Sequence, residues 1–197
     1  MEKDTLKGKP ILLIGGSAGS LEVLIKTLPL LRPVSSFTII IVVHRKNTDD
    51  SLLEDLLAAK TVLPVGESED KAPLLPGYIY IAPADYHVLF EHNGEMALDV
   101  SEKVNYSRPS IDVSFQSAAE TYGSGVTAIL LSGANADGTD GLSAVQHAGG
   151  TIVIQQPDTA EMPYMPQYAL NHLVPDALIT PGNLADYINR LSARLDF

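Results

Sequence analysis

The stretch Ile11-Leu-Leu-Ile-Gly-Gly-Ser-Ala-Gly19, followed by Phe37-Thr-Ile-Ile-Ile-Val-Val43, decides the fold class of this 197-residue chain. The first four residues are apolar and stop at two glycines, a pattern that predicts a short buried strand. The second run is β-branched after its phenylalanine and shows no polar alternation, which is typical of a parallel strand covered on both faces. Between them, apolar residues at helical spacing predict a helix over residues 20–31 that ends before Pro33.

Strand–helix units continue along most of the chain. Residues 51–60, 110–121, 142–147, 167–173 and 184–195 are predicted helices, and residues 126–131, 151–154 and 177–180 are predicted strands. This order predicts an α/β fold with a doubly wound, mostly parallel sheet in a Rossmann-like three-layer α/β/α arrangement. In the middle, Tyr78–Ile81, Val88–Phe90 and the turn at Asn93-Gly94 predict an extension of antiparallel hairpins. We expect a tail over residues 1–9 and a single domain over residues 10–197.

Composition and charge narrow the function classes. There are 13 Lys and Arg against 24 Asp and Glu, a formal net charge of −11, whereas a nucleic-acid partner favours a basic surface. The chain has no cysteine, which excludes disulfides, thiolate zinc sites and a cysteine nucleophile. The start of the chain is polar, and the longest apolar run is far shorter than the ~20 residues of a membrane span. A cytoplasmic location, with no insertion into membranes, is therefore expected.

Three candidate catalytic groups directly follow predicted strands. Ser17 comes after the first strand, His44 after the second, and a loop with Asp137 and Asp140 after the strand that ends at Leu131. Parallel strands bring these ends to one edge of the sheet, where doubly wound folds bind their ligands. A hydroxyl, an imidazole and a carboxylate at one edge predict acyl transfer by a serine nucleophile.

The segment Gly15-Gly-Ser-Ala-Gly19 matches the pattern G-x-S-x-G of a strand–turn–helix nucleophile elbow. In that geometry the N–H of Ala18 is an oxyanion donor, and the loop around Ala134 and Asn135 is a candidate for the second donor. A phosphate-binding turn is the alternative interpretation of a glycine-rich strand end. A dinucleotide site fits less well because G-x-G-x-x-G is absent and the second strand ends in His44 instead of an acidic residue.

The identity of the base and of the acid stays open on these grounds. His44 also fits as a histidine that merely caps a buried strand, and four other histidines compete with it, namely His87, His92, His147 and His172. Asp137 and Asp140 each suit a triad on spacing alone, and both also suit a tight turn. Two carboxylates without a nearby histidine are few ligands for a metal ion, so they indicate a metal site only weakly. We predict no metal and no cofactor.

Nine sequence blocks together make the chain similar to the CheB methylesterase domain from about residue 10 to the C-terminus. They are Ile14–Gly19, Val43-His44, Tyr80–Pro83, Asp85–His87, Arg108–Asp112, Leu131–Gly133, Ala136–Gly138, Gln146–Gly149 and Met165-Pro166. The resemblance implies that Ser17 is the nucleophile, His44 the general base and Asp137, not Asp140, the orienting acid. It further implies hydrolysis of glutamyl methyl esters on chemoreceptor signalling helices, with glutamine deamidation in some members.

Substrate contacts are expected around this triad. The Met-Pro block makes Met165 a candidate substrate-binding residue, and Arg45, Lys46 and Arg108 are candidate rim charges for an acidic receptor helix. Two alternatives remain beside the receptor methylesterase. One is a non-catalytic binding domain of the same fold, and the other is an esterase for small molecules.

The chain departs from the family pattern at several places. The family usually has Ser-Thr-Gly-Gly where this chain has Ser17–Ser20, and Gly-Met-Gly where it has Gly133–Asn135. The Phe-Gly that usually precedes Met-Pro is replaced by Pro163-Tyr164. The first predicted strand begins about ten residues in, so we expect no N-terminal receiver domain in this chain.

Overall fold

The structure, a computed structural model, describes residues 10–33, 36–45 and 50–195. Its strands are β1 Ile11–Gly16, β2 Thr38–Val43, β3 Val65–Glu67, β4 Ile79–Ile81, β5 His87–Phe90, β6 Met96–Asp99, β7 Val126–Leu130, β8 Thr151–Gln155 and β9 Ala177–Ile179. Its helices are α1 Ser20–Thr27, α2 Asp50–Ala58, α3 Ile111–Tyr122, α4 Thr139–His147, α5 Tyr164–His172 and α6 Leu184–Leu195, with short 3₁₀ turns at Leu28–Leu30, Gly123–Gly125 and Pro157–Thr159.

Seven strands form one parallel sheet in the order β3-β4-β2-β1-β7-β8-β9. The chain builds the sheet outward from β1 in one direction through β2 and in the other direction through β7. This reversal at β1 is the switch point of a doubly wound sheet, beside which a crevice opens at the carboxyl ends of the strands. The predicted fold class is confirmed.

Each face of the sheet carries its own buried core, and alternate residues of one strand serve opposite faces. Ile11 and Leu13 of β1 belong to the core that includes α3, α4, α5 and the hairpin β5–β6. Leu12 and Ile14 belong to the core that includes α1, α2 and α6. Burial of each such side chain contributes roughly 1.5–3 kcal/mol. The unbroken apolar runs in β1 and β2 are therefore explained by two covered faces.

The middle segment differs from the sequence prediction in one respect. Val88–Phe90 does lie in an antiparallel hairpin, β5–β6, with Gly94 at φ 85° in its turn. The prediction was wrong for Tyr78–Ile81, because Ile79–Ile81 pairs in parallel with β2 and with β3. Strand β3 was not predicted, since three half-buried residues with one apolar side chain leave no hydrophobic pattern.

The ends of the remaining elements shift by a few residues. Helix α1 stops at Thr27 and continues as a 3₁₀ turn around Pro29, since proline donates no backbone hydrogen bond. Within residues 10–33, 36–45 and 50–195, no helix has the length and apolar character that crossing a membrane requires. The predicted tail, residues 1–9, lies outside the described residues.

Candidate active site

Ser17, His44 and Asp137 lie together at the carboxyl edge of the sheet, where His44 is within hydrogen-bonding distance of both of the others. Ser17 follows β1, His44 follows β2, and Asp137 lies in the loop between β7 and α4. Since β1 pairs with β2 on one side and with β7 on the other, the three strand ends are adjacent. A backbone hydrogen bond also joins the residues at these strand ends, since His44 N donates to Gly16 O at 3.2 Å.

The turn that carries Ser17 is held by Ser132, which lies in the loop after β7. Ser17 N donates to Ser132 O at 2.9 Å, and the Ser132 hydroxyl donates to Ala18 O at 2.7 Å. Gly19 adopts φ 82°, and a Cβ there would approach the Glu161 Cβ to 2.6 Å, so only glycine fits. These bonds fix the turn at Ser17 in one conformation against the loop that follows β7.

Ser20 stands where the family usually has glycine, and its side chain has a defined place. The Ser20 hydroxyl is buried and donates to Ser17 O at 2.6 Å, parallel to the Ser20 N–H bond to the same oxygen at 3.0 Å. The close approach to Gly16, where an added Cβ would lie 2.5 Å from the Ser20 Cβ, requires glycine at that position. The serine at position 20 therefore gives the backbone carbonyl of Ser17 a second hydrogen bond.

The imidazole of His44 bridges the hydroxyl and the carboxylate. Its Nδ1 lies 3.2 Å from Ser17 Oγ, and its Nε2 lies 2.7 Å from Asp137 Oδ2. A carboxylate only accepts, so neutral His44 carries its hydrogen on Nε2 and offers Nδ1 as an acceptor to the Ser17 hydroxyl. The ring is 13% exposed, whereas the Asp137 side chain is fully buried.

The carboxylate of Asp137 lies against the N-terminus of α3. Its carboxylate accepts from the N–H groups of Ile111 and Asp112 at 2.7 and 3.0 Å and from the hydroxyl of Ser110, the N-cap residue, at 2.9 Å. These are the unpaired donors at the positive end of the helix dipole. Burial favours the neutral acid, but the hydrogen bonds from His44 and from these N–H groups outweigh it and lower the pKa of Asp137 to about 2.

A second buried carboxyl, Asp112, lies behind the first. Its Oδ1 accepts from Gly141 N at 2.7 Å, while burial and the charge of Asp137 raise its pKa. The side-chain amide of Asn105 lies between the two acids, with Nδ2 at 2.8 Å from Asp112 Oδ2 and 3.4 Å from Asp137 Oδ1. Asn105, a residue of the loop before α3, thus helps to hold both carboxyl groups in place.

The candidate oxyanion donors lie beside Ser17. Ala18 is exposed, and among the described residues no acceptor faces its N–H. Ala134 is exposed on the neighbouring loop, and the Asn135 side chain accepts from Asp137 N at 3.1 Å, so Asn135 shapes this loop. Met165 is fully buried and would contact any Cβ added at Gly133, so its side chain packs against the backbone of this loop.

An open cleft of about 610 Å³ begins at His44. It is lined by His44, Arg45, Asp85, Lys103, Tyr106, Ser107, Arg108 and Pro109. Arg45 pairs with Glu67, and the Arg108 guanidinium donates to the carbonyls of Val100 and Ser101 at 2.7 and 2.8 Å. Arg108 therefore shapes the wall of the cleft, and Lys46 lies outside the described residues.

The other histidines lie away from this arrangement or serve the fold. His87 is buried, accepts from Ser110 N on Nδ1 and contacts Glu102 O through Nε2. The imidazole Nδ1 atoms of His147 and His172 bond carbonyls one turn earlier in their own helices. Asp140 is exposed at the start of α4. No group of three or more metal-ligating side chains is placed to hold an ion within the described ranges.

Several residues of the site were missed by the sequence analysis. Ser110, Asp112 and Asn105 contribute to the surroundings of the Asp137 carboxylate, and Ser132 holds the turn at Ser17. A serine directly before the apolar start of α3 is a recognisable N-cap signal and could have indicated Ser110. The contacts of Asn105 and Ser132 join segments far apart in the chain, which no local pattern reveals.

The comparisons with known proteins agree with this geometry. The family model described as CheB methylesterase matches residues 12–188. A protein of Leptospira interrogans is 34% identical over 91% of this chain and 93% of its own length. A Thermotoga maritima protein named protein-glutamate methylesterase/protein-glutamine glutaminase is 36% identical over 84% of this chain, which spans 48% of that protein. The crystal structure of the Thermotoga maritima CheB methylesterase catalytic domain superposes with a TM-score of 0.89 at 30% identity, covering 93% of this chain and 99% of that one. The resemblance drawn from the motifs is confirmed.

Proposed function

Since this chain belongs to the CheB methylesterase family, we propose that it hydrolyses glutamyl methyl esters on the signalling helices of chemoreceptors. The observation that carries the proposal is the hydrogen-bonded line from Ser17 through His44 to Asp137. A relative of this chain is named for methylesterase and glutaminase activity, which supports the same reaction here. The proposed roles are nucleophile for Ser17, general base for His44 and orienting acid for Asp137.

The acylation half-reaction follows from the geometry. Ser17 Oγ attacks the ester carbonyl while its proton passes to His44 Nδ1, and the charge of the imidazolium is stabilised by Asp137. The tetrahedral oxyanion is held by the N–H of Ala18 and by an N–H of the 133–135 loop, beside the N-terminus of α1. His44 returns the proton to the leaving oxygen, and methanol departs from a Ser17 acyl-enzyme.

Deacylation repeats these steps with water as the nucleophile. Water gives a proton to His44 and adds to the acyl carbon. As the intermediate collapses, His44 passes that proton to Ser17 Oγ, and the glutamic acid that leaves ionises to its carboxylate by losing a proton to solvent. A glutamine side chain entering the same site would lose ammonia in place of methanol, and this deamidation is the second activity that we propose. The low pKa of Asp137 keeps the orienting carboxylate charged at neutral pH.

Removal of the nucleophile is the decisive test. Ser17→Ala is expected to lower kcat/KM for methylated receptor by ~10⁴-fold or more, because the hydroxyl forms the covalent intermediate. Release of methanol from methylated receptor membranes measures the activity. A serine-directed organophosphonate should label the wild-type protein and not the variant, with unlabelled Ser20 and Ser132 mapped as internal controls. Unchanged methanol release in Ser17→Ala would overturn the assignment.

The same experiment separates the alternative functions. A non-catalytic binding domain would bind receptor without releasing methanol, and its folded wild type would resist labelling. A small-molecule esterase would hydrolyse a simple aryl ester and leave methylated receptor intact. Both outcomes contradict the proposed receptor methylesterase.

A further inference from the structure

The turn Val104–Ser107 at the mouth of the cleft has an unusual backbone. Val104 and Ser107 pair across it, with N–O distances of 3.2 and 2.9 Å, and the two residues between them have φ values of 49° and 62°. Two positive φ values at the centre of a two-residue turn are the mark of type I′, for which Asn-Gly is the preferred sequence. Asn105 satisfies the first position, but Tyr106 occupies the position that favours glycine.

The Tyr106 side chain receives no structural compensation for this conformation. A bulky residue in the left-handed region is an outlier, and such strain persists mainly at functional sites. The Tyr106 side chain is 99% exposed, so no packing contact explains why tyrosine stands there. It does line the cleft that begins at His44.

The turn is fixed relative to the catalytic groups. Asn105 donates to Asp112 at 2.8 Å and approaches Asp137, the acid that holds His44. Arg108 holds the carbonyls of Val100 and Ser101 at the base of the same loop. The Tyr106 backbone is therefore held at a set place in the wall of the cleft that begins at His44 before any ligand arrives, which lowers the entropic cost of a contact.

The charges of the cleft indicate what it receives. Lys103 and Arg108 line it with positive charge and Asp85 with one negative charge, in a chain whose formal net charge is −11. The fourth charged residue of the lining, Arg45, is paired with Glu67. A locally basic cleft on an acidic protein favours an acidic partner, and an exposed aromatic ring is a typical anchor of a protein interface.

We propose that Tyr106 is a specificity-determining residue that packs against the acidic receptor helix bearing the ester, while Asn105 holds the turn that presents it. This inference rests on the proposed function and deepens it. Contact with a helix extends beyond the reacting ester, so the contribution of Tyr106 acts on a protein substrate and not on a small ester. The strained turn is retained because glycine would lack the ring.

The variant Tyr106→Gly separates recognition from structure. Glycine suits the backbone better, so the melting temperature should stay equal or rise. KM for methylated receptor should rise ~10-fold with little change in kcat, while kcat/KM for a small aryl ester stays within about two-fold. Tyr106→Phe keeps the ring and should retain most of the affinity. An unchanged KM for receptor, or an equal loss with the aryl ester, would overturn the inference.

A binding measurement distinguishes failure of this inference from failure of the proposed function. In the inactive Ser17→Ala background, Tyr106→Gly should weaken binding of methylated receptor membranes ~10-fold. If wild-type protein binds receptor with a contribution from Tyr106 but releases no methanol, the proposed hydrolysis fails and the contact stands. If methanol is released and Tyr106→Gly binds as tightly as its parent, the inference alone fails.

Discussion

The two sides of the cleft are built in different ways. The strand-end side carries Ser17, His44 and Asp137, in short connections that directly follow parallel strands. The loop side consists of residues 100–108 between β6 and α3, and most of it is exposed. On the strand-end side the Asp137 side chain is fully buried, whereas on the loop side Tyr106 is almost wholly in solvent.

Under the proposed function, this difference separates the reacting groups from the surface that meets the receptor. Atoms that move protons need fixed distances, and the ladder β2-β1-β7 supplies them through backbone pairing that substitutions on the loop do not alter. A surface that meets a partner protein needs exposed side chains, which loops provide. Asn105 joins the two sides, because its amide reaches from the loop to the buried acids.

The largest effect should come from the acid of the strand-end side. Asp137→Asn is expected to lower kcat/KM by about 10³–10⁴-fold for both receptor and aryl ester, since an amide no longer selects the correct His44 tautomer. Steady-state kinetics on both substrates measure this loss. Asp140→Asn, an exposed position in the adjacent helix turn, is the matched control and should retain wild-type activity. An equal loss in Asp140→Asn would mean that the acid has been misassigned.

An intermediate effect, on the pH dependence of stability, is expected at Asp112, the buried acid that Asn105 of the loop side contacts. The pKa of Asp112 is raised from an ordinary 3.8 to about 7. Between these two pH values the folded protein keeps a proton on Asp112 that the unfolded chain has released. Stability therefore falls as pH rises through this window and is level above it. Asp112→Asn cannot lose a proton, so its stability relative to wild type should improve by up to ~4 kcal/mol between about pH 4 and pH 8.

Urea unfolding at a series of pH values measures this difference. Below about pH 4 both proteins should lose stability together, because Asp137 has a lowered pKa and its stabilising charge is lost on protonation. Asp186→Asn, at an exposed position of α6 on the other face of the sheet, provides the control, and its pH profile should follow the wild type. Parallel profiles for Asp112→Asn and wild type between about pH 4 and pH 7 would contradict the prediction.

The smallest effect should come from a charge on the loop side. Lys103 is exposed and lines the cleft, so Lys103→Glu should raise KM for an acidic receptor about three- to ten-fold at low salt and much less at high salt. The kcat and the hydrolysis of a neutral aryl ester should not change. Lys60→Glu makes the same change of net charge outside the cleft lining and should leave KM unaltered. A rise in KM that persists at high salt would argue against electrostatic recognition.

Much of the fold and the place of the site could be read from the sequence. Unbroken β-branched runs predict parallel strands because both faces of such strands are covered, and this holds for β1 and β2. Ser17 and His44 were reachable because functional groups gather at the carboxyl ends of parallel strands. Strand β3 and the parallel pairing of β4 were not reachable, since both depend on partners remote in the chain.

Other features were decided only by the tertiary structure. Spacing left Asp137 and Asp140 equivalent, and at the level of sequence only the family resemblance favoured Asp137. The structure adds the physical difference between them, because Asp137 is buried against the N-terminus of α3 and Asp140 is exposed. The contact of Asn105 with two acids and the exposure of Tyr106 likewise have no local signature. Periodicity and turn chemistry act between neighbours in the chain, whereas burial and hydrogen bonding between distant segments exist only once the chain has folded.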